Sequence, residues 1–214
     1  MTRDDAPAYD HAQAEWYRQH HEKNLRTRLT TWRERSLLAR ALAGVGPLSS
    51  ILDAPCGSGR FFPVLADIDG ATLTGADNSE GMLAVAARSE VVRRHGIRLV
   101  NTSLFATSFA DCEFDCVVCM RFMHHLANAA DRRTVLTELR RITRRSVIVS
   151  LWVDGNWQSR QRRQHAPTAG FGRRNWIARD VIEPEILDCG FSIVGHYDVA
   201  PLLSMWRYYV LARS

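Results

Sequence analysis

The stretch Ile51-Leu52-Asp53-Ala54-Pro55-Cys56-Gly57-Ser58-Gly59-Arg60-Phe61 constrains the fold more than any other part of the chain. An apolar run ends in an acid, a loop of small residues with two glycines follows, and a helix-like pattern begins. This is a strand, a tight turn and a helix start, in which glycine lets the backbone approach a ligand closely and the first helical N–H groups face it. About twenty residues on, Thr72-Leu73-Thr74-Gly75-Ala76-Asp77 ends a second strand-like run in another acid, the spacing at which a carboxylate meets ribose hydroxyls. Repetition of such strand–helix units implies a parallel sheet covered by helices on both faces.

Two details narrow the ligand. A dinucleotide loop reads G-x-G-x-x-G, but Phe62 stands where the third glycine should be. Asp53 lies beside the loop, where a carboxylate repels phosphate and suits a cation. S-adenosylmethionine carries an ammonium and a sulfonium and no phosphate. Leu52-Asp53-Ala54-Pro55-Cys56-Gly57-Ser58-Gly59 resembles the first motif of the class I S-adenosylmethionine-dependent methyltransferases. Asp77-Asn78-Ser79-Glu80-Gly81-Met82-Leu83 is similar to their second motif, and Phe114-Asp115-Cys116-Val117-Val118-Cys119 leading into Met123-His124-His125-Leu126 to their fourth. Cys189-Gly190-Phe191 resembles the family's Ala-Gly-Phe before the sixth strand.

The resemblance covers about Leu48 to the C-terminus and implies S-adenosyl-L-methionine as cofactor. It implies a role for Asp53 at the amino-acid end, close approach at Gly57 and Gly59, ribose binding by Asp77, and packing of Asn78 and Met82 by the adenine. Ser103 occupies the place where an acid commonly meets the adenine amine, and Cys119 lies along the same sheet edge. In phosphoethanolamine methyltransferases a histidine followed by leucine at this place acts in catalysis. His125-Leu126 matches that pair, so His125, and next to it His124, are the catalytic candidates. The alternative for both is a histidine at a helix start that bonds backbone. Tyr17 is a candidate aromatic from an N-terminal segment folded over the site.

Alternating patterns place strands near 49–53, 71–76, 97–101, 114–119, 146–152, 191–198 and 205–212, and helices near 60–67, 80–94, 128–143 and 180–188. The short connection Ala200–Ser204 cannot carry a parallel crossover, so the last strand should be antiparallel. The expected fold is a doubly wound, seven-stranded, mostly parallel α/β sheet of the Rossmann-like methyltransferase type. Residues 1–47 read as an N-terminal helical extension and 48–214 as the cofactor-binding domain. In the extension, Leu25, Leu29 and Trp32 share a face that Leu38, Ala41 and Leu42 continue. Arg132, Arg133, Arg140, Arg141 and Arg144 read as the solvated face of the helix near 128–143. Val153 to Trp176 reads as a long irregular segment, with Arg173 and Arg174 candidates for gripping an anionic acceptor.

The 214 residues suffice for one core, and the formal charge of +5 with a pI near 9.2 is modest for a dedicated nucleic-acid binder. No apolar run reaches membrane-spanning length, which makes the cytoplasm the default compartment. Cys112-x-x-x-Cys116-x-x-Cys119 matches the spacing of an iron–sulfur motif, but Cys116 and Cys119 sit on a strand, where residues three apart face opposite ways. No metal is expected there. His20-His21 lacks a matching acid or cysteine pattern.

The leading functional expectation is methyl transfer to a small-molecule or lipid-linked acceptor. One alternative is an RNA base methyltransferase, yet Cys119-Met120-Arg121-Phe122 is not the Asn/Asp-Pro-Pro-Tyr type used on exocyclic amines of bases. The other is a non-catalytic, cofactor-binding partner of a second protein.

Overall fold

The computed structural model describes residues 25–164 and 175–214. It begins with helix α1 (Leu25–Ala43) and continues through β1 (Ser50–Asp53), α2 (Phe62–Leu65), β2 (Thr72–Asp77), α3 (Glu80–Ala87), α4 (Glu90–His95), β3 (Arg98–Asn101) and β4 (Phe114–Cys119). A short 3₁₀ turn, Met123–His125, follows. The second half comprises α5 (Ala129–Ile142), β5 (Thr143–Trp152), α6 (Trp157–Gln164), α7 (Arg179–Asp188), β6 (Phe191–Asp198) and β7 (Trp206–Arg213).

The strands form one seven-stranded sheet in the order β3-β2-β1-β4-β5-β7-β6. Strands β1 to β5 pair in parallel, and β7 runs antiparallel to both neighbours, β5 and β6. The expected doubly wound architecture is therefore present, with the reversed strand where the short connection requires it. The order reverses between β1 and β4, so the carboxyl ends of β1, β2 and β4 open a crevice at the switch point.

The two faces of the sheet bury separate halves of the core. Cys119, Val117, Val147 and Val149 pack with Val135, Leu136, Leu139 and Ile142 of α5 and with Ile182 and Ile186 of α7. Cys116, Val118 and Ile148 pack on the other face with Phe62, Leu65 and the α1 residues Leu37, Leu38, Ala41 and Leu42. Cys116 and Cys119 thus lie on opposite faces, and burial pushes the Cys116 thiol up to about 12.

Phe62, in the third-glycine place, fills the space between loop and sheet. A Cβ on Gly59 or on Gly75 would each stand 2.5 Å from its ring. A bulky side chain at 62 is thus accommodated by a glycine on β2 rather than by one on the helix.

Several expectations are corrected. The buried face of α1 is Glu34, Leu37, Leu38, Ala41 and Leu42, whereas Leu29 and Trp32 are 60% and 66% exposed. The helix near 80–94 is two helices, because Ser89 is extended and starts α4 afresh. The arginines of α5 are not a simple solvated face. Arg132 is buried and bidentate to Glu185 (2.8 and 2.6 Å), and Arg141 bonds Glu138, Asp111 and the Phe109 carbonyl. Arg140 donates to the Gly190 and Ser214 carbonyls, and Arg133 and Arg144 pair with Asp188 and Asp115. The α5 arginines fasten that helix to α7, to the loop before β4 and to the C-terminus, while Arg144, on β5, ties that strand to β4. The stretch after β5 is not wholly irregular, since α6 occupies Trp157–Gln164.

Candidate active site

Two acids stand at the carboxyl ends of neighbouring strands. Asp77, last residue of β2, accepts the backbone N–H of Gly57 at 2.8 Å and that of Ser79 at 2.9 Å. Its carboxylate therefore ties the glycine loop after β1 to the start of α3. Ser79 caps α3 by accepting the Met82 N–H at 3.2 Å. The loop is left-handed at both glycines, with φ of +54° at Gly57 and +80° at Gly59, a conformation open to glycine at little cost.

Asp53, last residue of β1, is 0% exposed, and neither carboxyl oxygen has a hydrogen-bond partner among the described residues. Burial, and secondarily the charge of Asp77, push its pKa well above the usual carboxylate range. Burial also raises Asp77, but the N–H groups of Ser79, Gly57 and Asn78 oppose the rise. The two acids are thereby distinguished. Asp77 has donors that stabilise its charge, whereas Asp53 has none among the described residues.

The cleft beside them encloses about 400 Å³, including space open to solvent. Asp77, Asn78 and Ser103 line it, together with Pro55, Thr102, Leu104, Phe105 and Phe122. The structure so brings together three of the expected cofactor-site residues. Met82 and Cys119 are buried and not among the lining residues, Met82 beside Val85 and Cys119 within the sheet core. Sequence reading missed Phe105 and Phe122, the two aromatic side chains that face the cleft. Ser103 turns the chain, its hydroxyl accepting the Phe105 N–H at 3.3 Å.

A nucleoside with a cationic tail fits this arrangement. An unpartnered buried acid stands at the end of β1, just before the glycine loop though outside the cleft lining, as Gly57 and Gly59 are; a second acid lies on the cleft, and two aromatic rings line the remaining space. In S-adenosylmethionine the ammonium would satisfy Asp53, and the ribose and adenine would lie along Asp77, Asn78 and Ser103.

Next along the edge is an aromatic wall. His124 is buried and stacks on Trp152 at the end of β5, with ring centroids 4.8 Å apart and planes 9° apart. Trp206, first residue of β7, meets both edge-on, at 5.1 Å from His124 and 5.3 Å from Trp152. The His124 carbonyl accepts the Asn175 N–H at 2.7 Å. His125 is exposed, its ring 4.2 Å from that of His124, so the two side chains do face different ways.

Arg121, at a left-handed φ of +60°, places its guanidinium 4.8 Å from the Trp206 ring centroid and 3.1 Å from Glu34 of α1. Glu34 is 1% exposed and also binds Arg60, the residue after Gly59, at 2.5 Å. This ion group, which sequence reading missed, joins α1 to the glycine loop and to the end of β4. Tyr17, Arg173 and Arg174 lie outside the described residues.

Residues 51–146 match the family model of a methyltransferase domain. A protein of Encephalitozoon cuniculi (strain GB-M1) named as a methyltransferase, ECU09_1500, is 29% identical over 130 residues, which span 61% of this chain and 56% of that protein. Among solved structures, magnesium protoporphyrin IX methyltransferase from Synechocystis PCC 6803 with bound S-adenosylhomocysteine superposes with a TM-score of 0.74 at 17% identity, covering 94% of each chain. The [4+2]-cyclase SpnF superposes with a TM-score of 0.64 at 14% identity, covering 85% of this chain and 80% of that one. At these identities the structures establish the fold and no particular reaction. Residues 51–146 are thus similar to a methyltransferase domain, and the seven-stranded sheet has the fold of the solved methyltransferase.

Proposed function

We propose that this protein transfers a methyl group to a small-molecule acceptor held against the aromatic wall at the ends of β4, β5 and β7. The observation that carries the reading is Asp53, a buried acid without a partner among the described residues, set beside the glycine loop where a cationic ligand would neutralise it. S-adenosylmethionine, when bound, supplies a methyl already activated by positive sulfur. Asp53 anchors the cationic end, and Asp77 accepts from the ribose while keeping its two backbone donors. His124, Trp152 and Trp206 form a rigid apolar side that excludes water and orients the acceptor, and placement of this kind supplies several kcal/mol of rate enhancement. His125, exposed beside that wall, takes the proton from the acceptor's nucleophilic atom, a role worth roughly 10²–10⁴-fold. Arg121, held over Trp206, adds a positive charge that favours an anionic acceptor.

The test uses tritiated S-adenosylmethionine and a cell extract treated beforehand with nuclease. Label in small organic-soluble or anionic products supports the proposal. Label lost on nuclease treatment assigns the acceptor to RNA, and cofactor binding without any labelled product assigns the protein a non-methylating role of the kind its fold also hosts.

A further inference from the structure

The rim of the acceptor side carries large apolar residues that the fold does not use. Leu202 and Leu203, in the turn between β6 and β7, are 79% and 62% exposed, and Trp157 at the start of α6 is 57% exposed. They are contiguous, since the Trp157 and Gln158 N–H groups donate to the Leu202 and Leu203 carbonyls at 2.8 and 3.2 Å. Exposed Leu29 and Trp32 belong to the same end of the molecule. Arg40 of α1 lies over the ring of Tyr197, and Arg33, two turns earlier, donates to the Val199 carbonyl where the β6–β7 turn begins. At about 1.5 Å per residue, the part of α1 that carries Trp32 and Leu29 stands at and beyond the level of that turn. Lone exposed apolar residues need no explanation, but two tryptophans and three leucines at one end of the molecule do.

The charge beside these residues has one sign. The sequence of α1 has five arginines and a single acid, Glu34, which is buried; α6 has three arginines and no acid. Arg28 lies one turn from Trp32 and Arg160 one turn from Trp157, and both are exposed. The nearby acids are already paired, Asp198 with Arg207 at 2.7 and 2.9 Å and Asp154 with Arg179. Among the described residues no helix is long and apolar enough to cross a membrane.

From this arrangement we propose that the rim of Leu29, Trp32, Trp157, Leu202 and Leu203 is an interfacial docking surface for an anionic phospholipid membrane. Tryptophan and leucine enter the headgroup–acyl boundary while exposed arginines meet the lipid phosphates. An RNA partner would use the arginines but has no need of the exposed Leu202–Leu203 pair.

The experiment is co-sedimentation of the full chain with vesicles of phosphatidylglycerol and phosphatidylcholine in equal parts, with pure phosphatidylcholine vesicles as comparison. Binding is expected to the anionic vesicles, weakening as salt rises and about tenfold weaker in the Leu202→Ser/Leu203→Ser variant. That variant should keep the wild-type melting temperature and wild-type affinity for S-adenosylhomocysteine, because both side chains are already in water. A second variant, Arg28→Gln/Arg160→Gln, should lose the preference for anionic lipid. Equal sedimentation with and without vesicles, or binding unchanged in both variants, would overturn the proposal. So would a protein dimer that the leucine substitutions dissociate, or tight RNA binding without vesicle binding. None of these results bears on whether methyl transfer occurs.

Discussion

Replacing Asp53 with asparagine should make the ligand-free protein more stable and the ligand-binding protein worse. The side chain is wholly buried, both oxygens lack partners among the described residues, and Asp77 adds a like charge nearby. Ionising such a group in the folded state costs more than the about 1–3 kcal/mol of an unsatisfied neutral group, so about 2 kcal/mol is a conservative figure. Because the folded pKa lies above the unfolded one, the native state holds its proton more tightly. Stability is therefore full below the unfolded pKa of about 3.9 and falls as pH rises toward the folded pKa. Asparagine cannot ionise, so the difference between variant and wild type should be small near pH 4, grow as pH rises above it, and level off above the folded pKa. About 2 kcal/mol corresponds to a gain of about 4–8 °C in melting temperature for a chain of this size. S-adenosylhomocysteine at a hundred times its Kd should stabilise the wild type by about 2.7 kcal/mol and the variant far less at the same concentration. Differential scanning fluorimetry across pH, with and without the nucleoside, measures both. A pH-independent difference, or a variant less stable than wild type at pH 9 without ligand, would refute the reasoning about Asp53.

Asp77→Ala removes the acceptor of two backbone N–H groups and of the ribose hydroxyls, and should weaken S-adenosylhomocysteine binding by about 1.5–3 kcal/mol in calorimetry. Gly75→Ala should destabilise by about 1–3 kcal/mol in urea titration, because its Cβ would stand 2.5 Å from the Phe62 ring; Phe62→Leu on the same background should restore part of the loss. Arg132→Ala strands a buried Glu185 and should cost about 3–5 kcal/mol, whereas Arg132→Met with Glu185→Leu should recover most of it in thermal melts. His125→Ala should lower turnover about 10²-fold or more with cofactor affinity unchanged, measured by steady-state methyl transfer once an acceptor is found; full activity would return His125 to a structural role.

The parallel sheet was legible because its signals are local. Apolar runs that end in Asp53 and Asp77, with glycines just after, dictate strand, turn and helix before any tertiary contact forms. What escaped reading depends on partners distant in sequence. Arg132 looks like a surface residue until Glu185 is placed beside it, and Glu34 sits on an otherwise polar stretch until Arg60 and Arg121 close around it. Leu29 and Trp32 follow the helical period of the buried stripe but project past the sheet edge, so periodicity alone assigns them to the core. In the site, the strand-end acids and glycines were readable as chemistry. Phe105 and Phe122 were not, since an aromatic residue after a strand looks the same whether it fills the core or lines a cleft.

The most direct test of the central claim is calorimetric titration of the full chain with S-adenosylmethionine and, separately, with NAD. The account predicts one site for S-adenosylmethionine with a Kd in the micromolar range, roughly −7 to −8 kcal/mol, and no binding of NAD, whose pyrophosphate would meet Asp53. Binding of NAD without binding of S-adenosylmethionine would contradict it.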